Sequence, residues 1–342
     1  MANNMKRRKR MKKGVKKFVV LVLSVILVAA IFGACSQKPA GNAGGSASGG
    51  NEFAGRTIGV SLMDLQQQYF ISMLEGIKDA AKDNGIELNI QDQENDSGRQ
   101  TTQLENFITM EVDGMLVCAI DGEVAAQQVA AAAEKGILTV AIGVEIENAR
   151  VWKNWDEYDY GCAIGKMAGK WINENYPDAD RVEVGIFTYS ALPQLADRAR
   201  GIEETMTSIA PQAVVVAKQD SDGVERGMAV TENWLQEHPN MRVFCGIDDD
   251  SGPIGCHEAL NAIIPASEKD KYAIFGADGV AEAIARIKEG GFYKGTVDIN
   301  PYGQGYDSLE IMLRLWKGED VPSFVLIPCD RLVDYDLAMA EY

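Results

Sequence analysis

The sequence predicts an α/β protein with parallel β-sheets in two doubly wound lobes. From residue 56 onward, short runs rich in β-branched residues alternate with segments whose apolar residues recur every three or four positions. This alternation is typical of βαβ units, in which the strands lie parallel. The part of the chain that shows it, about 290 residues, is longer than one hydrophobic core usually supports. We therefore expect two lobes.

Nine runs have the composition of strands, and the segments between them have the spacing of helices. In residues 69–85, for example, Phe70, Met73 and Ile77 fall on one helical face. The composition changes at residues 150–161 (RVWKNWDEYDYG), where we expect the chain to cross between lobes. The nine predicted strands are residues 57–62, 86–91, 114–119, 138–143, 182–188, 213–219, 242–247, 272–277 and 294–299.

The first 54 residues have the composition of an export signal and a tether. Residues 1–17 carry nine Lys or Arg and no acid, and residues 18–34 form an apolar run, an order typical of a secretory signal. The run ends in Phe-Gly-Ala-Cys, which resembles a bacterial lipobox, so we expect a signal segment at 1–35 with a lipid on Cys35. Residues 36–54 form a Gly/Ser/Ala tether. An uncleaved membrane anchor is the alternative, and either interpretation predicts a folded part outside the cytoplasm.

The charge balance excludes nucleic acid as a partner. The chain has 33 Lys and Arg against 50 Asp and Glu. Removal of the nine basic residues of the signal leaves 24 against 50, a formal charge of −26. A protein that binds a polyphosphate needs a basic face, and this composition does not provide one.

Cysteine and histidine do not form a metal or disulfide pattern. Of the six Cys, five lie beyond Cys35, an odd number without CxxC spacing, so we predict no particular disulfide. His238 and His257 do not have a metal-ligand spacing. We therefore expect neither a metal nor a cofactor. The five remaining cysteines are Cys118, Cys162, Cys245, Cys256 and Cys329.

Polar side chains follow most of the predicted strands. In open parallel sheets, ligands bind beyond the carboxyl ends of the strands. Each polar residue there could also cap the next helix, but their recurrence after strand upon strand predicts a pocket at this edge. The residues are Asp64, Asp121, Glu145, Tyr189, Ser190, Asp278, Asn300 and the triplet Asp248–Asp250.

The acidic triplet in FCGIDDDSGP (244–253) allows several interpretations. It could bind a metal, perform acid–base chemistry, hold a polar ligand or cap the next helix. Its spacing does not match a calcium loop, whose ligands alternate and end in a distal Glu. We expect one member to contact a ligand, a second to cap the helix and the third to be solvated.

From Arg56 to Val333 the chain resembles the type I periplasmic substrate-binding proteins of sugar ABC importers, the ribose- and galactose-binding family. The similarity lies in the order and spacing of six segments. These are IGVSLMDLQQQYFISMLEGI (58–77), DEYDYGCAIGKMAGKWI (156–172), ADRARGIEE (196–204), DDDSGPIGCHEAL (248–260), IFGADG (274–279) and GTVDINPYGQGYDSLEIM (295–312).

The resemblance implies a fold and a set of ligand contacts. The fold is that of the periplasmic-binding-protein-like I class, with two lobes joined by a three-strand hinge. It implies an N-terminal lobe of residues 55–155 plus 301–323 and a C-terminal lobe of residues 156–300 plus 324–342. The implied ligand-binding residues are Gln67, Tyr69, Phe70, Trp155, Asp156, Arg198, Asp249, Asp278 and Asn300.

Two departures from the family pattern change the expected set of ligand contacts. The fourth strand ends in Gly143 where sugar binders carry Asp or Asn, and the last inter-lobe segment has Ile299 where they carry Gln or Asn. Glu145, Asp298 or Asn300 could supply replacement contacts. Hinge packing is an alternative role for Trp155, whose ring we otherwise expect to stack on a sugar.

The resemblance implies a monomeric, lipid-anchored receptor that closes on a sugar or polyol and delivers it to an ABC permease. Carboxylates accept hydrogen bonds from hydroxyl groups and Arg donates to their oxygens, so the chemistry fits a neutral polyol. A sensor subunit for a chemoreceptor or histidine kinase is the alternative. A sugar-acting enzyme is a weaker one, because no nucleophile–base pair stands out. Related transcription regulators need a DNA-reading module where this chain has its signal and tether.

Overall fold

The computed structural model describes residues 52–342, so the predicted signal, Cys35 and most of the tether lie outside the described residues. In the described residues, strands and helices alternate along the chain as the sequence predicts. The first lobe is built mainly from the elements before residue 156. These are β1 (Thr57–Leu62), α1 (Gln68–Asn84), β2 (Glu87–Asp92), α2 (Ser97–Thr109), β3 (Gly114–Val117), α3 (Gly122–Glu134), β4 (Leu138–Ile142) and β5 (Val151–Asn154).

The second lobe repeats the pattern, and the chain then returns to the first lobe and ends in the second. The second lobe contains α4 (Glu157–Asn175), β6 (Val182–Thr188), α5 (Leu195–Ile209), β7 (Ala213–Asp220), α6 (Val224–Glu237), β8 (Met241–Gly246), α7 (Pro253–Ile263), a 3₁₀ turn (Ala266–Lys271), β9 (Ala273–Ala277), α8 (Ala281–Lys288) and β10 (Tyr293–Val297). The remaining elements are α9 (Pro301–Trp316), β11 (Phe324–Leu326), β12 (Leu332–Val333) and α10 (Tyr335–Glu341).

The two sheets have the same strand order. The first is ordered β11-β5-β4-β3-β1-β2 and the second β12-β10-β9-β8-β6-β7. The pairs are parallel, except that β12 runs antiparallel to β10. The predicted class, two parallel-sheet lobes with alternating helices and strands, is confirmed. Because parallel strands end at the same edge, each lobe presents a row of strand ends.

The structure contains all nine predicted strands and three more, β5, β11 and β12. β5 is only four residues long, and one of its two buried side chains is the charged Lys153, so it lacks an apolar run. The Lys153 ammonium donates to the Gln304 backbone oxygen at 2.9 Å and to Ser308 Oγ at 3.2 Å. Burial lowers the pKa of Lys153 to about 8. β11 and β12 have three and two residues, too few for a periodicity to appear.

Three segments cross between the lobes: β5 to α4, β10 to α9, and β11 to β12. Because β11 pairs with β5 in the first sheet, the first lobe continues to Leu326. The predicted boundary at residue 323 lies three residues before the end of this strand. The pairing is made by an edge strand whose Phe324 and Leu326 are exposed, which explains why the sequence pattern did not include it.

Paired helices flank each sheet and position the residues at the lobe interface. In the second lobe, α4 packs directly on α5. A Cβ atom at Gly161 of α4 would collide with the backbone carbonyl oxygen of Arg198 on α5, so a glycine is required for this approach. The close approach brings Tyr160 beneath Arg198, with the Arg198 Cζ 4.2 Å from the centre of the Tyr160 ring. A helix pair in the first lobe, α1 with α9, packs in a similar way.

Within residues 52–342, no helix is long and apolar enough to cross a membrane. The five cysteines of this part of the chain are all unpaired. Cys118 and Cys245 are buried in apolar surroundings, as their sequence context predicts.

Candidate functional site

A cavity lies between the two lobes, at the carboxyl ends of the strands. It encloses about 690 Å³ of space between atoms, its open mouth included. Both lobes contribute to its lining, which combines aromatic, apolar, amide and charged side chains. The lining residues are Met63, Gln67, Tyr69, Phe70, Asn95, Cys118, Gly143, Val144, Trp155, Glu157, Tyr189, Leu192, Gln194, Leu195, Arg198, Asp248, Ser251 and Asp278.

The wall from the first lobe is aromatic and uncharged. Tyr69 and Phe70 lie in the first turn of α1, and their rings meet edge to face with centroids 5.0 Å apart. The Trp155 ring approaches Tyr69 in the same manner at 6.4 Å. The Tyr69 hydroxyl donates to Gln304 Oε1 at 3.0 Å, which holds its ring in place. The wall therefore offers fixed aromatic surfaces on which the apolar face of a ligand can lie.

Trp155 also presents a hydrogen-bond donor. Its indole Nε1 is buried and has no partner among the described residues. The ring lies against Gly143, which follows β4 with a φ of 79°, a backbone conformation that favours glycine. A Cβ atom at Gly143 would come within 3.2 Å of the Trp155 ring. Trp155 therefore occupies space into which a larger residue at position 143 would extend.

The wall from the second lobe is charged, and Arg198 is its central residue. Arg198 is buried on α5 and its Nε donates to Glu157 Oε2 at 2.6 Å, while Nη1 donates to the Ile247 carbonyl oxygen at 2.7 Å. Burial disfavours the charged guanidinium, but Glu157, Tyr160 and Asp278 together outweigh this, so the pKa of Arg198 is raised. The arginine is charged and fixed, with its plane lying over the Tyr160 ring.

Asp278 follows β9 with a φ of 93° and lines the cavity. Its Oδ1 accepts a hydrogen bond of 2.7 Å from the Tyr160 hydroxyl. Burial raises the pKa of Asp278 to about 7, although the nearby Arg198 guanidinium opposes the rise. A carboxyl group at this position can thus exist in either protonation state near neutral pH.

The three aspartates of the acidic triplet point in different directions. Asp248 lines the cavity and accepts hydrogen bonds from the Ser251 N–H at 2.6 Å and the Ser251 hydroxyl at 2.8 Å. Burial raises the pKa of Asp248. We expected ligand contact and helix capping from two different aspartates of the triplet. Asp248 faces the cavity and also accepts hydrogen bonds from the turn that leads into α7.

Asp249 does not line the cavity, although the resemblance implies that it contacts a ligand. It is fully buried within the second lobe. Its carboxylate accepts hydrogen bonds from the Tyr293 hydroxyl at 2.5 Å, the Thr296 hydroxyl at 2.9 Å and the Val280 N–H at 3.2 Å. Asp249 therefore ties the β8 loop to β10 and to the start of α8.

Asp250 joins the two lobes. Its carboxylate accepts hydrogen bonds from the N–H groups of Gln68 and Tyr69 at the start of α1, the latter at 3.3 Å. Burial raises the pKa of Asp250 to about 7, and Asp248 adds to the effect. None of the three aspartates is exposed, so the expected solvated member is absent. A second bridge joins the Gln68 amide to Glu282, whose backbone N–H donates to Gln68 Oε1 at 3.2 Å.

The cavity brings together six of the sequence-predicted site residues and leaves out three. Besides Asp249, the exceptions are Asp156 and Asn300, which are exposed and cap α4 and α9. Asp156 accepts from the Asp159 N–H and Asn300 from the Gly303 N–H, so each carboxylate or amide oxygen serves its own helix. The six in the cavity are Gln67, Tyr69, Phe70, Trp155, Arg198 and Asp278.

Several lining residues were not predicted as ligand contacts. Glu157 stands next to the predicted Asp156, and Asp248 stands next to the predicted Asp249, so in both cases the lining residue is the immediate neighbour of the predicted one. Tyr189 follows β6, and its strand-end position is the signal that could have identified it. The suggested replacements Glu145 and Asp298 do not line the cavity, and Asp298 instead pairs with Arg331 at 3.0 Å. Asn95, Gln194 and Ser251 had no sequence signal of this kind.

The carboxylates do not assemble a metal site within the described part of the chain. No group of three or more His, Cys, Asp or Glu side chains among residues 52–342 has an arrangement that could hold a metal ion. The triplet cannot act as one, because Asp249 is engaged inside the lobe and Asp250 on the opposite lobe.

Comparisons with known proteins agree with this architecture. Residues 58–320 match the family described as "Periplasmic binding protein domain". The ribose import binding protein RbsB of Bacillus subtilis (strain 168) is 33% identical over 285 residues, which cover 82% of this chain and 85% of that protein. The xylitol-binding protein of Mycolicibacterium smegmatis is 26% identical over 274 residues, covering 78% and 74% of the two chains.

Solved structures show the same fold. A periplasmic solute-binding protein from Actinobacillus succinogenes 130z with bound D-allose has a TM-score of 0.75 at 22% identity, over 83% of this chain and 99% of that one. A solute-binding protein from Bacillus halodurans C-125 with bound myo-inositol has a TM-score of 0.70 at 22% identity, over 84% and 97%. The family match, the relative at 33% identity and the shared fold lead to one conclusion: the chain belongs to the periplasmic binding protein family, in its type I form.

Proposed function

We propose that the protein captures a sugar or sugar-like polyol between its two lobes and delivers it to the permease of an ABC transporter. The observation that carries this proposal is the cavity itself, in which an aromatic wall from one lobe faces a charged, hydrogen-bonding wall from the other. A polyol ring has an apolar face and a rim of hydroxyl groups, so it complements both walls at once.

The available hydrogen-bonding groups support a polyol ligand. Asp278 Oδ1 is held by Tyr160, and no described residue donates to its Oδ2, which is left to accept from a hydroxyl group. Arg198 has further N–H groups beyond those bonded to Glu157 and Ile247. Trp155 Nε1 is a donor without a protein partner. We propose that these three groups bind ligand oxygens.

We propose further that Gln67, Tyr69 and Phe70 contact the ligand from the first lobe, with Trp155 stacking on its ring. From the second lobe, Glu157 and Asp248 join Arg198 and Asp278 in this role. We assign structural roles to Asp156, Asp249 and Asn300, because their side-chain oxygens are already bonded within the protein. Closure of the lobes around the ligand would be a hinge motion at the three crossings.

Transport, rather than catalysis, is the role that the named relatives support. RbsB of Bacillus subtilis is named as a ribose import binding protein, and another relative, from Escherichia coli, as a D-allose-binding periplasmic protein. We propose that this chain likewise works outside the cytoplasm, as a monomer. Its attachment to the cell membrane would be a lipid on Cys35, followed by the tether of residues 36–54.

A thermal-shift panel tests the proposal. The full chain, purified in mild detergent because of the apolar residues 18–34, is heated with pentoses, hexoses, inositols, linear polyols, sugar acids, amino sugars, amino acids and phosphorylated sugars. A ligand at about 100 times its Kd stabilises the folded state by about 2.7 kcal/mol. We expect at least one sugar or polyol, which we call the reference ligand, to raise the Tm. A rise with amino acids or phosphorylated sugars alone would contradict the proposal.

A further inference from the structure

The charges that line the cavity do not balance. Three carboxylic acids, Glu157, Asp248 and Asp278, face a single basic residue, Arg198. With all four ionised, the lining has a formal charge of −2, one positive charge against three negative. Among residues 52–342, the first lobe contributes no charged side chain to the lining, so the opposite wall does not compensate.

Arg198, the one basic residue of the lining, already pairs with a carboxylate. Its Nε pairs with Glu157 at 2.6 Å, and the two side chains are only 5% and 14% exposed. This pair neutralises Glu157. No ion pair among residues 52–342 includes Asp248 or Asp278. Asp250 lies nearby and adds to the negative field.

Asp278 is buried and Asp248 partly buried, and neither has an ion pair of its own, which destabilises the ionised form of the site. Burial of an unpaired charge is costly, and a carboxyl group responds by keeping its proton to higher pH. The pKa values of Asp248 and Asp278 are raised in this way, chiefly by burial. A ligand that brought a positive charge between them would remove this cost, whereas a neutral ligand would bury them further without a counter-ion.

The aromatic wall also suits a cation. Tyr69, Phe70 and Trp155 offer ring faces, and cations are attracted to such faces when water is excluded. The same wall holds the unpartnered Trp155 Nε1, a donor that needs an oxygen rather than an ammonium group. Uncharged polar groups complete the lining: Gln67, Asn95, Gln194 and Ser251. The ligand therefore needs hydroxyl groups as well as a charge.

We infer that the preferred ligand is an amino sugar, aminocyclitol or amino polyol, whose ammonium group lies between Asp248 and Asp278 while its hydroxyl groups bind Arg198 and Trp155. This inference rests on the proposed function and specifies its ligand class. The cavity's second-lobe wall then acts as an ammonium site, and its first-lobe wall covers the carbon frame.

Matched ligand pairs test the inference by isothermal titration calorimetry on the full chain. The pairs are D-glucosamine with D-glucose, D-galactosamine with D-galactose, an amino-deoxy-inositol with myo-inositol, and glucamine with sorbitol. In at least one pair we expect the amine to bind at least about tenfold more tightly than its hydroxyl partner, the difference that one charge-assisted hydrogen bond provides. N-acetylation of that amine, which removes the charge, should abolish the difference.

The outcomes separate the inference from the proposed function. If neutral members bind and no amine exceeds its partner, the inference is overturned while capture of a polyol stands. If a plain amino acid or diamine binds and no member of any pair does, both the inference and the proposed function are contradicted. Absence of binding by every compound of the four pairs contradicts the inference as well.

Two variants test whether Asp248 binds the ammonium group of the ligand. Asp248→Asn keeps an acceptor for Ser251 but removes the charge, so the affinity for the amine should fall by about tenfold more than the affinity for its neutral partner. Asp270→Asn removes an exposed carboxylate of the same lobe, from the 3₁₀ turn before β9, and should change neither. Equal weakening of amine and neutral partner by Asp248→Asn would show that Asp248 acts as a plain acceptor, which would overturn the ammonium site.

Discussion

The two lobes use the same backbone position for opposite purposes. β4 and β9 are equivalent strands in sheets of the same order, and the residue after each has positive φ, 79° for Gly143 and 93° for Asp278. In the first lobe this residue has no side chain, and the Trp155 ring covers it. In the second lobe it is a buried carboxylate held by the Tyr160 hydroxyl.

The next strand differs between the lobes in another way. β5 and β10 are also equivalent, and the residues that follow them are Trp155 and Asp298. Trp155 lines the cavity, whereas Asp298 lies outside it and pairs with Arg331. The comparison teaches that the fold determines where side chains meet, while the residue at each strand end determines the chemistry. Neither wall alone can bind both the face and the rim of a polyol, so binding should require both lobes.

Loss of Arg198 should have the largest effect on the second-lobe wall. Arg198→Ala leaves the Glu157 carboxylate and the Ile247 carbonyl oxygen without their donor. Breaking a buried ion pair in this way costs about 3 kcal/mol of folding free energy, and the reference ligand should no longer raise the Tm. Denaturant unfolding and thermal shift measure the two effects.

Arg200→Ala is the control for this variant. Arg200 lies two residues further on the same helix but is half-exposed, and its pairs with Asp197 and Glu204 lie at the surface. Surface pairs contribute about 0–1 kcal/mol, so stability and binding should change little. If Arg198→Ala retained full binding, Arg198 would not be a ligand contact.

Removal of the Asp278 charge should weaken binding without weakening the apo protein. Asp278→Asn keeps an acceptor for Tyr160 and tolerates the positive φ. The reference ligand should bind at least about tenfold less tightly, because a charged acceptor is lost. Calorimetry of the two proteins measures the difference. Unchanged affinity would contradict the division of roles between the walls.

The same variant should change how stability depends on pH. The pKa of Asp278 is raised to about 7, chiefly by burial, and Asp248 and Asp250 reinforce the rise while Arg198 and the Tyr160 hydroxyl oppose it. A carboxyl group with a raised pKa in the folded state stabilises the protein at low pH, and this contribution is lost as the pH increases from about 4 to above 7. We expect a lower apo Tm at pH 8 than at pH 6, and a smaller difference in Asp278→Asn. A Tm that rises over this range would contradict the assignment.

The first-lobe wall should make a smaller contribution, which a pair of tryptophan variants measures. Trp155→Phe keeps an aromatic face but removes the Nε1 donor, so the Kd of the reference ligand should rise by about fivefold, the equivalent of one neutral hydrogen bond. Trp152→Phe is the control, because Trp152 lies three residues earlier, on β5, and also has an unpartnered buried Nε1, but packs against Phe324 away from the cavity. Equal effects of the two variants would show that Trp155 serves only hinge packing.

The smallest effect should come from the bridge between the walls. Gln68→Ala removes the hydrogen bonds to Glu282 that join α1 to α8, and these bonds favour the closed form. Because these hydrogen bonds are partly exposed, their removal should weaken ligand binding by only about threefold. Gln66→Ala, an exposed neighbour two residues earlier, should have no effect. Tighter binding by Gln68→Ala would mean that the bridge opposes closure.

The sequence predicted the two-lobed fold because βαβ units carry strong local periodicity. It did not reveal β5, whose buried Lys153 breaks the apolar pattern, or the short β11 and β12. Those three elements form the hinge region, where tertiary pairing rather than local pattern determines the conformation.

The candidate site was harder to predict than the fold, because a sequence position does not determine the direction of a side chain. Asp248, Asp249 and Asp250 are adjacent, yet one faces the cavity, one the lobe interior and one the opposite lobe. Glu157 lines the cavity while Asp156 beside it caps α4. The triplet lies in bends and a turn, and Asp156 and Glu157 lie at the start of a helix, so neighbouring side chains there point in different directions that the sequence pattern does not specify.

The most direct measurement is a crystal structure of the chain with the reference ligand. We expect the ligand between Trp155 and Arg198, touching both lobes. One of its oxygens should lie within hydrogen-bond distance of Trp155 Nε1, and another of its polar groups should contact the Asp278 carboxylate. A ligand held by one lobe alone, or bound outside the cavity, would contradict the account.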